Sequence, residues 1–371
     1  MKKKLAEIYI GIFIACLSVP FLAYLFVAKH LDLENHENHI LVTIEDVIQT
    51  SWYEKTAMLE RYINDHLPYK NELTKLNTLI DINVFRSLDS DAVMLGKDNW
   101  LFYKLDNCIE DYRGSLVVTQ EEEDALITSM QNMQTYCEER GIKLVYQITP
   151  NKETIYGDLY MPEYVEIMSN DSRVDVLLDS IMEQTNFSIV WAEEELKYYR
   201  DKGYQTYRKY DTHWNQVGGF VGTTCLLHEL EKQHETLEDV SVIATGTITG
   251  DLANMIAMGN YLNDDCNYEI EDYKSEIYVE LIEERQEPNL NYSHYRSNVD
   301  KGGVIMCIGD SFLGAMEPYI SKNYTESYFL HIANYQSGMI ESIEPDVIVI
   351  SQTERAFPGL YWSLNALLEA E

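Results

Sequence analysis

Short apolar runs separated by amphipathic stretches dominate the chain from about residue 119 onward. The stretches "DSRVDVLLDSIMEQT" (171–185) and "AEEELKYYRDKG" (192–203) have the spacing of helices. Continuous apolar runs are typical of strands buried on both faces of a sheet. These runs are "IKLVYQITP" (142–150), "FSIVW" (187–191), "VIMCI" (304–308) and "DVIVIS" (346–351). Alternating helices and buried strands predict an α/β domain.

The limits of this domain follow from the same pattern. The segment "GKDNWLFYKLDN" (96–107) predicts a turn that leads into an apolar strand, so the domain is predicted to span residues 95–371. Residues 261–300 interrupt the alternation, because they are polar and rich in tyrosine. We interpret them as an insertion or a small antiparallel excursion within the domain.

An uncharged apolar run precedes the domain. It covers residues 8–28, and at about 1.5 Å per residue it is long enough to cross a bilayer core of roughly 30 Å. Lysines at positions 2–4 precede it, so the positive-inside rule predicts a cytoplasmic N-terminus and an extracytoplasmic domain. The alternative is a cleaved signal peptide, but the run is long for one, and Phe26 stands where a small residue is expected. We therefore predict a single-pass membrane anchor within residues 1–29.

Residues 30–94 are predicted to form a helical lead-in between the anchor and the domain. Their apolar positions recur at helical spacing, with an interruption at Pro68. His30, His36 and His39 lie in the charged beginning of this segment. We interpret them as linker residues rather than as metal ligands.

Composition narrows the classes of function. The 371 residues include 28 Lys and Arg against 62 Asp and Glu, which gives a formal net charge of −34. Phosphate binding needs clustered positive charge, so we do not expect a nucleic-acid partner. The six cysteines have no CxxC or other metal-ligand spacing, and no GxxxxGK[ST] sequence is present. We therefore expect neither a metal nor a cofactor.

Asp211 and His213 are the first candidates for chemistry. In an extended segment residues i and i+2 share a face, so the Asp211 carboxylate is expected to reach the Nδ1–H of His213. That contact fixes the tautomer and stabilises the imidazolium that forms when Nε2 takes a proton. The alternative is structural, with Asp211 capping the next helix and His213 packing against Trp214.

Ser311 is the second candidate. The sequence "VIMCIGDSFLGAM" (304–316) predicts a strand, a sharp turn and a helix. Ser311 would then lie at the carboxyl end of a strand, where ligands bind in open α/β sheets, beside free helix N–H groups that can hold an oxyanion. A serine hydroxyl needs a base to become a nucleophile, and His213 is the natural one. The alternative is that Ser311 is an ordinary N-cap.

A set of motifs carries a resemblance to a known family. They are "GKDNWLFY" (96–103), "DTHW" (211–214), "GDLANM" (250–255), "IGDSF" (308–312) and "PDVIVISQTER" (345–355). Together they resemble the DHHW proteins and the SGNH-hydrolase-like domain of alginate O-acetyltransferases of the AlgJ and AlgX type. The resemblance covers roughly residues 35–360. It implies an SGNH-hydrolase-like, flavodoxin-like three-layer fold with a permuted motif order, in which Asp and His precede Ser.

The same resemblance implies roles and partners. By motif, Ser311 is the nucleophile, His213 the general base and Asp211 the carboxylate that orients it. The alginate enzymes move an acetyl group onto a polysaccharide hydroxyl outside the cytoplasmic membrane, after a membrane-bound O-acyltransferase has delivered it. The implied partners are therefore a cell-surface polysaccharide and a donor protein of that class. Independently of the resemblance, the 28 tyrosines suggest carbohydrate binding, because aromatic faces stack on sugars, and Tyr156 and Tyr319 are the candidates near the site in sequence.

The oxyanion-binding group is where the chain departs from the wider SGNH pattern. The usual Gly-x-Asn-Asp block is missing, and "GNYLND" (259–264) only approximates it. The backbone N–H of Ser311 would then need a side chain from a neighbouring strand end. Asn151, Lys152 and Arg355 are the candidates.

Three functions fit these residues. The first is an extracytoplasmic serine O-acyltransferase, in which a sugar hydroxyl accepts an acetyl group from Ser311. The second is a carbohydrate esterase, in which water is the acceptor, since one triad serves both reactions. The third is a non-catalytic, membrane-tethered binding or assembly protein that keeps the fold. The intact Asp211, His213 and Ser311, together with the resemblance, favour the acyltransferase.

Overall fold

A computed structural model of the chain describes residues 7–15, 18–19, 22, 41–66, 70–88, 90–287 and 290–370. The chain divides into two compact units. The smaller unit is Met1–Ser90 with Asp251–Leu262, and the larger is Asp91–Gly250 with Asn263–Glu371. The larger unit contains every candidate site residue.

Helices and strands follow one another along the described part of the chain. The helices are α1 Ile44–Gln49, α2 Lys55–Asp65, α3 Lys70–Ile80, α4 Cys108–Tyr112, α5 Gln120–Glu139, α6 Lys152–Tyr160, α7 Arg173–Gln184, α8 Glu193–Asp201, α9 Gln216–Glu229, α10 Asp251–Met255, α11 Glu317–Ile320, α12 Met339–Ile343 and α13 Leu360–Ala370. The strands are β1 Val93–Leu95, β2 Leu101–Tyr103, β3 Lys143–Thr149, β4 Ile189–Trp191, β5 Ser241–Ile248, β6 Asp265–Glu271, β7 Val279–Glu287, β8 Leu290–Ser297, β9 Val304–Gly309, β10 Glu326–His331 and β11 Val347–Thr353. Short 3-10 turns include Ser311–Ala315 and Glu354–Gly359.

The smaller unit is helical. Thr43 begins α1 with a capping box, in which its hydroxyl accepts the Asp46 N–H and the Asp46 carboxylate accepts the Thr43 N–H. The Thr78 hydroxyl in α3 donates to the carbonyl of Ile256, just after α10, at 3.3 Å. This bond joins the two stretches of sequence that make up the unit.

The predicted anchor falls mostly outside the described residues. Helical backbone is described at residues 7–15, 18–19 and 22, whereas the other positions of the run 8–28 and the histidines at 30, 36 and 39 are not described. Among the described residues, no helix combines the length and the apolar character needed to cross a membrane. The anchor stays a prediction.

A seven-stranded mixed sheet organises the larger unit, in the order β4-β3-β11-β9-β10-β8-β7. The strands from β4 to β10 run parallel to their neighbours, whereas β8 and β7 are antiparallel additions at one edge. Gly309 at the end of β9 pairs with His331 of β10 and with Ser351 of β11. The carboxyl ends of these three strands therefore meet, and Ser311 follows β9 at this edge.

Alternate side chains of the central strands enter two separate cores. In β9, Ile305 and Cys307 face one core and Met306 and Ile308 face the other, and all four are fully buried. Helices α6, α8, α9 and α11 contribute to the first core, and α5, α7 and α13 contribute to the second. A sheet covered by helices on both faces is the three-layer α/β architecture that the continuous apolar runs predict.

Residues 261–300 differ from the prediction in one respect. They form antiparallel strands, since β6 pairs with β5 in a separate two-stranded sheet and β7 and β8 form a hairpin. The hairpin is not an insertion set apart from the main sheet, because β8 pairs with β10. It extends the sheet beside the carboxyl ends of β9 and β10.

Close packing of α9 on the turn that carries Ser311 leads to a first prediction. A Cβ at Gly219 would lie 2.4 Å from the carbonyl oxygen of Ala315 and 2.6 Å from its Cβ. Gly219→Ala must push the helix away from the turn, so we expect the free energy of unfolding to fall by about 1–3 kcal/mol. Urea denaturation measures this change. Gly359→Ala is the matched control, because a Cβ there meets nothing within 4 Å. Equal stability of the two variants would contradict the packing argument.

Candidate active site

The turn after β9 exposes Ser311. Ser311 begins the 3-10 turn, and its side chain is open to solvent. Asp310 caps the turn, because its Oδ1 accepts the Phe312 N–H at 3.0 Å, and its Oδ2 accepts the Thr353 N–H at 2.8 Å. Asp310 rather than Ser311 is therefore the N-cap, and its second oxygen ties the turn to the end of β11.

Gly309 allows this turn to form close against β11. A Cβ at Gly309 would lie 2.5 Å from the carbonyl oxygen of Ser351 and 2.8 Å from Leu313 Cδ1. Contacts this short exclude any larger residue. The Gly-Asp-Ser sequence thus combines a close approach, a cap and an exposed hydroxyl.

Asp211 and His213 lie on the loop between α8 and α9. Asp211 Oδ1 accepts the backbone N–H of His213 at 2.9 Å and lies 2.7 Å from His213 Nδ1. Asn215 caps α9, since its Oδ1 accepts the N–H groups of Val217 and Gly218. The structural alternative, in which Asp211 caps the helix, therefore does not apply. The Asp211 carboxylate instead orients the imidazole.

The two segments meet at His213 and Ser311. His213 Nε2 lies 2.7 Å from Ser311 Oγ, so the carboxylate, the imidazole and the hydroxyl form one hydrogen-bonded line. Beneath them the buried indole N–H of Trp214 donates to the Phe312 carbonyl at 2.9 Å. The His213 and Phe312 rings are also in contact, with centroids 4.7 Å apart. An exposed serine with a base in reach, and a carboxylate behind that base, can attack an acyl carbon.

Lys152 lies under the loop rather than beside Ser311. It is 1% exposed, and its Nζ donates to the carbonyl oxygen of Asp211 at 2.5 Å and, at 3.4 Å, to those of Arg208 and Lys209. These carbonyl groups hold the ammonium group in place. Lys152 therefore supports the backbone that carries Asp211, which differs from the predicted role of binding an oxyanion.

Asn151 and Arg355 lie together where β3 and β11 end. Arg355 Nη1 donates to Asn151 Oδ1 at 3.3 Å, and the guanidinium lies 5.5 Å from the centre of the Phe312 ring. Glu354 is fully buried beside them and accepts the Asn151 N–H at 2.7 Å. Burial raises the pKa of Glu354 to about 8, against the opposing effect of hydrogen bonds from Thr154 and Asn151. Arg355 thus contacts the site through the Phe312 ring. Asn151 is connected to the site through its hydrogen bond with Arg355.

Tyr156 and Tyr319 are core residues, only 3% and 6% exposed. The Tyr156 hydroxyl accepts the Thr206 N–H at 2.9 Å, and the Tyr319 hydroxyl donates to Gln216 Oε1 at 3.1 Å. Tyr319 borders a separate cavity of about 330 Å³. Neither ring lines the cavity that contains Ser311. Their packing in the core is therefore at odds with the prediction that they stack on a sugar there.

A cavity of about 450 Å³ opens beside Ser311. Its walls come from the Ser311 turn, the end of β10 and the β7–β8 hairpin, and include Glu284, Arg285, Tyr292, Ser293, Glu317 and Phe329. Sequence reasoning missed the four hairpin residues among them because it treated the hairpin as an insertion. A signal was available for Glu317, since it follows Ser311 by six residues and begins the helix after the turn.

Backbone N–H groups of the Ser311 turn are further candidates for holding an oxyanion. The Phe312 N–H is taken by the Asp310 carboxylate and the Leu313 N–H by the Asp310 carbonyl, at 3.2 Å. The Ser311 N–H has no acceptor among the described residues. Of the three N–H groups that begin the turn, that of Ser311 is therefore available to an oxyanion.

Known proteins share this fold. The family model described as "SGNH hydrolase-like domain, acetyltransferase AlgX" matches residues 93–286. A DHHW family protein from Eubacterium siraeum has a TM-score of 0.56 and 12% identity, over 76% of this chain and 97% of that chain. Bacillus cereus PatB1 with a sulfonyl adduct has a TM-score of 0.55 and 12% identity, over 72% of this chain and 96% of that chain. At this identity the two structures show the fold alone. No curated protein matches the chain by sequence.

The buried carboxyl of Glu354 leads to a pH-dependent prediction. Its pKa in the folded protein, about 8, is above the ordinary value of 4.5, so folding favours the protonated form. The stability that Glu354 contributes is complete below pH 4.5 and is lost as the pH rises through 8. Glu354→Gln stays neutral, so from pH 5 to pH 8 it should gain on the order of 2–4 kcal/mol in unfolding free energy relative to wild type.

Urea denaturation at both pH values tests this, with Glu139→Gln as the control because Glu139 is an exposed helix residue. Wild-type and Glu354→Gln stabilities that change in parallel with pH would show that Glu354 is ionised throughout.

Proposed function

The chain belongs to the family of AlgX-like SGNH hydrolase-like acetyltransferase domains, and from this we propose that it is a serine O-acyltransferase that acetylates a cell-surface polysaccharide. The observation that carries the proposal is the line from Asp211 through His213 to Ser311, with a cavity beside the serine. The proposed catalytic domain is residues 95–371.

In the first half of the reaction, Ser311 Oγ attacks the carbonyl carbon of an acyl donor while His213 Nε2 takes the hydroxyl proton. Asp211, at Nδ1, stabilises the resulting imidazolium. The carbonyl oxygen becomes an oxyanion, which the Ser311 N–H can hold. His213 returns the proton to the leaving group, and an acetyl ester remains on Ser311.

The second half reverses these steps with a sugar hydroxyl. The hydroxyl enters the cavity beside Ser311 and loses its proton to His213 as its oxygen attacks the acetyl carbon. The second tetrahedral intermediate collapses, the ester bond to Ser311 breaks, and His213 returns the proton to Ser311 Oγ. General base catalysis of this kind contributes about 10²–10⁴-fold in rate.

We also propose that residues 8–28 anchor the protein in the cytoplasmic membrane, with the domain outside. The uncharged run and the lysines before it support this proposal. A membrane-bound O-acyltransferase is the proposed acetyl donor, by analogy with the alginate enzymes. The donor and the anchor would then bring the acyl group and Ser311 to the same membrane surface.

Covalent labelling of Ser311 tests the nucleophile. The full chain in detergent is treated with an activated aryl acetate or, because a PatB1 structure carries a sulfonyl adduct, with a sulfonyl fluoride. We expect one adduct at Ser311 by intact mass and peptide mapping. It should be absent in Ser311→Ala and form about 10²–10⁴-fold more slowly in His213→Ala.

Ser337→Ala is the matched control, because Ser337 is an exposed serine of the same unit. An acetyl adduct that decays faster with added oligosaccharide supports transfer, whereas rapid decay in water alone indicates the esterase. Equal labelling of wild type and Ser311→Ala would favour the non-catalytic binding protein.

Membrane extraction tests the anchor. The full chain should stay in the membrane fraction after alkaline carbonate washing, because its apolar run replaces contact with water by contact with lipid, whereas a variant lacking residues 1–29 should be released. Intact mass of the membrane-bound protein should equal that of the uncut chain. Release of the full chain, or a mass reduced by a cleaved leader, would contradict the anchor.

A further inference from the structure

We propose that the cavity beside Ser311 is the acceptor site, and that Glu317 makes it select sugars without carboxylates over uronic acids. This rests on the proposed function and specifies the class of polysaccharide. Three features of the cavity carry the inference: its position, its charge and its apolar floor.

The position follows from the turn after β9. Ser311 and Gly314 are three residues apart in the 3-10 turn and so share one face of it. Both of them line the cavity, and so does Glu317, the first residue of α11. A Cβ at Gly314 would meet nothing within 4 Å, so the floor between the serine and the glutamate is open. A volume of about 450 Å³ is within the range of roughly 300–1,000 Å³ that is usual for ligand pockets. A sugar that offers a hydroxyl to Ser311 would therefore lie against Glu317.

The charges around the cavity are mainly negative. Asp310, Glu284 and Glu317 are acidic residues of the lining, whereas Arg285 is a basic one. The Arg285 guanidinium contacts Glu283 Oε1, at 2.7 Å from Nε and 2.6 Å from Nη2. Part of its positive charge is therefore balanced by Glu283, and a uronate in the cavity would meet net repulsion.

The Glu317 side chain is half-buried and lies beside Tyr295, Ser293 and Glu284. The Tyr295 hydroxyl donates to Glu317 Oε2 at 3.1 Å. Burial raises the pKa of Glu317 to about 7, against the effect of hydrogen bonds from Tyr295 and Ser293, and Glu284 raises it further. The other titratable and charged groups around it are Arg285 on β7, Cys307 on β9, Asp310 in the turn and His331 at the end of β10. The charge on Glu317 therefore increases as the pH rises from 6 to 8.

Apolar groups complete the cavity. Leu313, Phe329 and Leu330 are buried in its floor, and Tyr292 lines it beside Arg285. The C–H faces of a sugar ring pack on such surfaces while its hydroxyls reach the polar rim. Glu317 and Ser293 can accept or share hydrogen bonds with those hydroxyls.

The test compares two acceptors on one acyl-enzyme. The full chain in detergent is acetylated at Ser311 with an activated aryl acetate, and decay of the adduct is followed by intact mass at low ionic strength. Equal-length oligomers of glucose and of galacturonic acid are the acceptors, and the quantity measured is the ratio of their second-order rate constants. Titration of His213 affects both acceptors alike, so it cancels in the ratio.

We expect the ratio of neutral to uronate rate to exceed one, and to rise about tenfold from pH 6 to pH 8, as Glu317 becomes charged a few ångströms from the acceptor. Glu317→Gln should give a ratio that is smaller at pH 8 and rises less with pH, because His331 is the titratable group of the lining that remains in this pH range. Glu139→Gln, with an exposed glutamate, should behave as wild type. Gly314→Leu should lower the second-order rate constant for both acceptors by filling the floor of the cavity.

Each contrary result has a distinct meaning. A ratio at or below one in the wild type, or the same pH dependence in Glu317→Gln, overturns the assignment of Glu317. An adduct that neither oligomer accelerates overturns the acceptor site and leaves Ser311 as the nucleophile. Failure to form any adduct overturns the proposed function itself. If Glu317→Gln does not fold, the pH dependence of the wild-type ratio still tests Glu317, and Gly314→Leu still tests the acceptor site.

Discussion

The hydrogen bond from the Trp214 indole to the Phe312 carbonyl is the contact on which the geometry of the site depends. It joins the loop before α9 to the turn after β9, and both partners are buried. Leaving either buried group without its partner would cost about 1–3 kcal/mol, so this bond opposes separation of the two segments. Lys152 supports the first segment from below, and Asp310 fixes the second to β11. The 2.7 Å distance between His213 and Ser311 follows from these constraints.

Carboxyl groups near the site fall into two classes that burial separates. Asp211 and Asp310 accept backbone N–H groups and hold loops in place. Glu317 and Glu354 lie where burial outweighs the hydrogen bonds they accept, so their pKa values rise toward neutrality. In a chain with a net charge of −34, protonation of such groups is one way to lower the repulsion that an oxyanion would meet. The site therefore combines carboxyl groups that hold loops in place with carboxyl groups whose charge depends on pH near neutrality.

Sequence reasoning works best in this protein where the signal is local. Continuous apolar runs identified β3, β9 and β11, and the Gly-Asp-Ser sequence identified the turn at Ser311. It could not establish that Asn215 rather than Asp211 caps α9, since both residue types are good caps and the decision depends on where the imidazole lies. The burial of Lys152 also depends on a loop whose carbonyl groups converge only in the folded chain. The β7–β8 hairpin was missed as part of the main sheet, because its polar sequence resembles an exposed excursion and its partner strand β10 lies about thirty residues further along.

The choice between transfer and hydrolysis depends on the acceptor more than on the triad. Ser311 is open to solvent, and His213 can deprotonate water as readily as a sugar hydroxyl. A bound sugar competes with water because binding has already removed its translational freedom. When the reacting groups are well aligned, its effective concentration reaches about 10⁵ M or more. In the proposed acceptor site that alignment would come from the cavity walls, which belong to the hairpin, β10 and the turn rather than to the triad. If the proposed roles are correct, a shift from esterase to transferase would involve residues such as Tyr292 and Glu317, while Asp211, His213 and Ser311 stay the same.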